Sequence, residues 1–289
     1  MKWKGVAFDI EKLLFTGHSN GGWYSIRLAK LWTIAQLTFT GQGVWYALTH
    51  YPQAIAAAPA SGYLSIQSYV SYNLWGQMDP AKLAVQQGSL ANYRHELLAP
   101  MVGGVPVYQQ HGGDDDNVPA YHSRLMHQMI GQAGWKTNYS ELAGKGHWWE
   151  GVMTTPGLVE FYKHHLNNPK LPSHDQLDSF EIVVADPFST FYKFGVRVLY
   201  LQEPGQLGRM RVRLDKKTNT WRFEPENIMM FEIEESAVIS SVEIDDPYMN
   251  SVQAFTIQQA QRREFRRMED STWIMVSQTI VKDCSKRFS

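Results

Sequence analysis

The chain has 289 residues, 44% of them apolar and 19% charged, a composition that excludes disorder and predicts a packed core. A formal charge of −1 leaves no electrostatic footprint for nucleic acid or an anionic membrane surface, so neither is expected as a partner. One cysteine, Cys284, rules out an intrachain disulfide and a cysteine-based metal site, and no cofactor is expected.

In chain order, the first residues interleave Asp9, Glu11 and Lys12 with apolar positions, which is not the order of a secretory signal peptide. A cytoplasmic setting is the default expectation, with secretion open if a leader lies upstream. No run of about 18 apolar residues follows that could span a bilayer. Lys12–Thr16 reads as a buried strand ending at Gly17. Ala54–Ala58 is a second such run, closed by Pro59; Val105–Gln109 is a third and Thr137–Leu142 a fourth. Helical stretches lie between them, over 42–51, 63–98 and 120–133. Strands alternating with helices predict the α/β class with a parallel sheet, whose chemistry gathers at the carboxyl ends of the strands.

Residues 167–178, with Pro169 and Pro172, read as a linker. Beyond it the apolar period becomes two: Phe180, Ile182 and Val184; Val196, Val198 and Tyr200; Met210, Val212 and Leu214; and again over Ile239–Ile244. This predicts a small antiparallel, sandwich-like β domain over 178–289, following an α/β domain over 1–168. The tail, Arg262–Ser289, is basic and reads as irregular.

The chemistry begins at Gly17-His18-Ser19-Asn20-Gly21, a G-x-S-x-G pattern directly after a predicted strand. A serine on a sharp strand-to-helix turn needs glycine neighbours because the turn is strained and closely packed. Alone, the pattern also fits a glycine-rich turn with a surface serine. A nucleophilic serine further needs a histidine to take its proton and a carboxylate to orient that histidine. His111-Gly112-Gly113-Asp114-Asp115-Asp116-Asn117-Val118-Pro119 follows the third strand, and Gly144-Lys145-Gly146-His147 follows the fourth. The three aspartates also fit a solvated loop or a weak cation site; their place between a buried strand and a helix start favours one of them as the acid. His50, His95, His122, His127, His164 and His165 read as surface or helix-end residues rather than catalytic ones. Trp148 and Trp149 are either pocket walls or plain core.

These motifs over residues 5–167 resemble the catalytic domain of the prolyl oligopeptidase family of serine peptidases. That family carries G-x-S-x-G-G at its nucleophile, an H-G-x-x-D-x-x-V-P-like acid loop and a short G-H or D-H turn for its histidine. The resemblance implies an α/β-hydrolase sheet with Ser19 as nucleophile and His147 as general base. The family's acid lies three residues before the valine, which selects Asp115 over Asp114 and Asp116. It also implies that the Asn20 backbone N–H serves the oxyanion hole.

Two features depart from that pattern. The serine stands at position 19, whereas a hydrolase domain of this kind has several strands before its nucleophile, so one edge of the nucleophile strand is expected to be bare. Gly22 is also separated from Gln42-Gly43, and removing residues 23–41 restores a smooth G-H-S-N-G-G-Q-G run. That segment reads as a retained short intron or a genuine insertion, and residues 23–40 are expected to form a helix or loop projecting from the body. The leading function is peptide-bond hydrolysis. A carboxylesterase with the same three residues is the second reading. The third is an inactive truncated fragment acting as a binding or structural module, and little activity is expected of the chain alone. The substrate is a peptide or an ester, and no oligomeric state is legible.

Overall fold

The computed structural model describes residues 2–3, 6–19, 33–39, 41–51, 54–70, 78–172, 177–235, 237–249, 252–257 and 263–277. Two compact units divide the chain, Met1–Gln176 and Leu177–Ser289.

In the first unit the strands are β1 (Lys2–Trp3), β2 (Val6–His18), β3 (Thr33–Phe39), β4 (Ala54–Ala60), β5 (Tyr108–Gly112) and β6 (Asn138–Leu142). Five of them form a parallel sheet in the order β3–β2–β4–β5–β6, and β1 pairs antiparallel with the start of β2. The period of two places Phe15 in one core and Leu14 in the other. The Phe15 face packs against α1 (Gly41–His50) and α4 (Tyr121–Gln132) through Val44, Trp45, Leu48, Met126 and Ile130. The Leu14 face packs against α5 (Pro156–Asn167) through Leu158 and Phe161. Strand β4 (Ala-Ile-Ala-Ala-Ala-Pro-Ala) is buried along its whole length, as a strand covered on both faces must be. Truncating Leu14, which is 0% exposed, costs about 2–5 kcal/mol by loss of burial and cavity formation.

Three expectations change here. The third strand begins at Tyr108 rather than Val105, because Pro106 has no N–H for the ladder; its carbonyl accepts from Ala57 N (2.9 Å) and Val107 makes an isolated bridge. The long helical stretch over 63–98 is broken. It holds α2 (Ile66–Tyr69), α3 (Pro80–Leu90) and short 3-10 turns, with residues 71–77 outside the described set. Pro80 cannot sit inside a helix, so it starts one, and Asp79 caps it by accepting from Ala81 N (3.0 Å). Finally, Thr33–Phe39 is neither helix nor projecting loop. It pairs parallel with β2, from Phe8↔Thr33 to Gly17↔Phe39, and lies on the edge that the sequence reading leaves bare. Trp23 and Trp32 lie outside the described residues.

The second unit holds two sheets. One has the order β13 (Gln253–Thr256), β12 (Ser241–Ile244), β10 (Thr220–Glu226), β9 (Gly208–Asp215) and β7 (Ser179–Val184). The other runs β15 (Trp273–Ser277), β14 (Arg263–Arg267), β11 (Ile228–Ile233) and β8 (Val196–Leu201). Aromatic rings join their inner faces: Phe223 lies 4.9 Å from Phe231, which lies 5.1 Å from Phe265 and 5.5 Å from Trp273. The unit is not purely antiparallel, because β10 and β12 pair parallel. The chain leaves the first sheet after β10, runs β11 in the second, and returns beside β10 in the same direction. From Arg263 to Ser277 the tail is not irregular: it forms β14 and β15, and two of its arginines have specific acceptors. Arg263 donates to Ala237 O (2.8 Å) and Arg267 to the buried Asp246 (2.7 Å).

Candidate active site

Ser19 leaves the end of β2 with φ 59°, in the left-handed region that costs a non-glycine residue energy. Its N–H is held by Ala60 O (2.9 Å) at the end of β4, and its carbonyl faces Gln42 N (3.5 Å) in the first turn of α1. The positive end of α1 therefore stands at the serine although residues 20–40 intervene in sequence. This approach needs the Gly41–Gly62 contact, since a Cβ on Gly41 would meet Ala60 O and the Gly62 backbone. Gln42 also donates from Nε2 to His95 Nε2 (3.1 Å), and His95 is 0% exposed.

The acid loop leaves β5 and the histidine loop leaves β6, and backbone bonds bind the two loops together: Gly113 N to Leu142 O (2.8 Å) and Asp114 N to Lys145 O (2.9 Å). A side chain on Gly112 would strike the carbonyl oxygens of Lys145 and Gly146, so the close approach depends on that glycine. Asp115 is buried while Asp114 and Asp116 are exposed. Its Oδ1 accepts from Asn117 N (3.0 Å) and Val118 N (2.8 Å). His147 Nδ1 lies 2.8 Å from Asp115 Oδ2, and its Nε2 lies 2.6 Å from Ser19 Oγ. With Nδ1–H donating to the carboxylate, Nε2 is left to accept the serine hydroxyl proton. Such an arrangement lets an imidazole draw a proton from a hydroxyl while a carboxylate fixes its tautomer.

No protein-family profile matches the chain. An uncharacterized secreted protein of Arthroderma benhamiae is 34% identical over 243 residues, which cover 83% of this chain and 24% of that protein. The chain thus spans about a quarter of the length of this curated relative. Among solved structures, the acylaminoacyl peptidase of Pyrococcus horikoshii aligns at 15% identity and TM-score 0.38, over 47% of this chain and 24% of that one. A puromycin-hydrolyzing peptidase of Mycobacterium tuberculosis aligns at 18% identity and TM-score 0.35, over 46% and 21%. Dipeptidyl peptidase 4 of Porphyromonas gingivalis aligns at 15% and 0.35, over 46% and 19%.

Asn20 lies outside the described residues. His50 stands at the end of α1, as a helix-end residue, and is buried at 3% exposure; His95 and His122 are buried, at 0% and 2%, rather than superficial. Burial holds His95 down to about 3 and His122 to about 4, so both are neutral core groups. Trp148 is 69% exposed and stands edge-on to His18 at 5.6 Å. Two residues that the sequence reading left without a role also adjoin the site. His18, in the x position of the serine motif, reaches the His147 carbonyl with Nε2 (2.7 Å) and so ties the end of β2 to the histidine loop. His111, the first residue of the acid loop, is fully buried beside Asp115, with Nε2 3.3 Å from Oδ2. The signal for His18 is its adjacency to the nucleophile. For His111 it is the H-G step at a strand end, where a polar residue in a buried position needs partners. Among the described residues, no group of three or more His, Cys, Asp or Glu side chains could hold a metal ion, and no helix is long and apolar enough to cross a membrane.

Proposed function

We propose that the chain is a serine hydrolase that cleaves peptide bonds through an acyl-enzyme. The observation that carries this reading is the hydrogen-bonded sequence from Asp115 through His147 to Ser19. Ser19 attacks the carbonyl carbon as His147 Nε2 takes its proton. Asp115 stabilises the imidazolium, and His147 then protonates the departing amine; water repeats the sequence to release the acid. Asn20 is the residue whose N–H would meet the oxyanion. The positive end of α1 favours negative charge at the same place. Activity, rather than an inert fold, is favoured by two features. The β2 edge has a parallel partner in β3, and α1 begins beside Ser19 despite the intervening segment.

The test is a fluorophosphonate probe applied to the purified 289-residue chain. Labelling at Ser19, absent in Ser19→Ala and slowed about a thousandfold or more in His147→Ala, is the expected result. An unlabelled wild-type chain with native circular dichroism overturns the reading. A panel of peptides against p-nitrophenyl acetate then separates peptidase from esterase. The secreted description of the fungal relative favours an extracellular setting over the cytoplasmic default. Detecting the native protein only inside the cell would reverse that assignment.

A further inference from the structure

The acid loop is held from behind by a second histidine. His111 sits at the end of β5, is 0% exposed, and has both ring nitrogens engaged. Nε2 lies 2.7 Å from Val118 O, and a carbonyl oxygen only accepts, so Nε2 carries the hydrogen. Nδ1 is then an acceptor, and the Ser123 hydroxyl, 2.7 Å away on α4, donates to it. Burial holds the His111 imidazole below its usual range, which keeps this neutral tautomer.

Val118 is the pivot. Its N–H donates to Asp115 Oδ1 and its C=O accepts from His111, so the residue that clamps the carboxylate through one peptide group is itself held through the next. The same Nε2 also stands 3.3 Å from Asp115 Oδ2, the oxygen that faces His147 Nδ1. We infer that His111, locked by Ser123, is a positioning residue that fixes the Asp115 carboxylate for His147 through Val118, extending the hydrogen-bonded chain to Ser123–His111–Val118–Asp115–His147–Ser19. The inference rests on the proposed serine-hydrolase reading for its effect on turnover, and on geometry alone for its effect on the Asp115–His147 bond.

A positioning role and a packing role separate as follows. His111→Gln places an amide N–H near the former Nε2 and can still reach Val118 O, whereas His111→Phe fills the space with no donor. Ser123→Ala removes the tautomer lock without touching the acid loop. In the full chain, the downfield proton resonance of the His147 Nδ1–H bonded to Asp115 is expected in the wild type and in His111→Gln, and lost or broadened in His111→Phe. With a hydrolysable ester, His111→Phe is expected to lower kcat about tenfold to a hundredfold at nearly unchanged KM, with most of the loss restored in His111→Gln. Ser123→Ala is expected to fall between them. If the Phe and Gln variants lose kcat and the resonance equally, or if the Phe variant keeps both, the positioning role is overturned. Should His111→Phe fail to fold, Ser123→Ala with a wild-type resonance and wild-type kcat overturns it as well. If the resonance responds as expected while the wild type neither hydrolyses ester nor labels at Ser19, the hydrolase reading falls and the positioning role stands.

Discussion

At the scale of single residues, the site carries its cost on the backbone of Ser19. A non-glycine residue in the left-handed region costs on the order of 1 kcal/mol or more, and such outliers persist where the surroundings over-determine them. Here the surroundings are Ala60 O on its N–H, Gln42 N at its carbonyl and His147 at its hydroxyl. Ser19→Gly removes both the strain and the hydroxyl. It is expected to melt at or above the wild-type temperature in calorimetry while losing all fluorophosphonate labelling. A clearly lower melting temperature would mean that the hydroxyl contact outweighs the strain. Among three adjacent aspartates the resemblance to the prolyl oligopeptidase pattern implies Asp115, and in the structure that residue is buried while its two neighbours are exposed. What holds it inward is local: Val118 N and Asn117 N turn back onto Oδ1.

Elements meet at glycines. Gly112 lets the end of β5 approach the Lys145 and Gly146 backbone, which carries His147. A methyl group there must displace backbone oxygens rather than the tip of a flexible side chain. Gly112→Ala is therefore expected to destabilise by about 1–3 kcal/mol. Because a misplacement of about 1 Å costs on the order of a hundredfold in rate, turnover should fall further than stability implies. Parallel urea melts and ester hydrolysis would measure both, and a variant with normal kcat would show that the histidine loop yields without harm. The segment after Gly22 makes the opposite kind of case. In the sequence it looks dispensable, since removing it restores a continuous motif. In the fold, Thr33–Phe39 runs beside β2 for most of its length. Deleting residues 23–40 takes that partner away and leaves unpaired N–H and C=O groups along β2. Lower soluble yield and increased light scattering are expected; a deletion variant that is monomeric and more stable would identify the segment as an intruder.

Across the whole molecule, buried ionisable groups give the two units pH responses of the same sign in different windows, since in both the unfolded chain binds more protons than the folded one. In the first, His95 is held to about 3 and His122 to about 4, below the ordinary histidine value of 6.5. Between those values and 6.5 the unfolded chain binds protons that the folded unit does not, so stability falls as the solution is acidified through that window. In the second, burial holds Lys193 down to about 7 from 10.5. The unfolded lysine is protonated across pH 7–10.5 while the folded one is not, so this group makes stability rise with pH there, by about 1.4 kcal/mol per pH unit at most. Lys193→Met is expected to flatten the alkaline slope, as read by urea melts followed through the tryptophans of the second unit. An unchanged slope would assign it to other groups.

The local chain determined a good deal by itself. The strand–glycine–serine step, the histidine after a later strand and the acid between them are short-range patterns, because each depends on how a strand must end to present one side chain. The apolar period of two after the linker likewise reports faces of a sheet. Contacts between distant segments decided the rest. Pairing of Thr33–Phe39 with β2 is not stated by the segment itself, although Thr33, Ile34, Thr38 and Phe39 suit a strand, because which edge it joins depends on a distant segment. The parallel β10–β12 pair follows from the order in which the chain visits two sheets. Burial of His95 and His122, which read as surface or helix-end residues, and of His111 in the acid loop was set by the helices and strands packed over them. The hydrogen bonds that bring Asp115, His147 and Ser19 together join residues 32 and 128 positions apart. The sequence determined which groups stand at the strand ends; only the tertiary structure could decide their separation, because that depends on how closely glycine backbones let those ends approach.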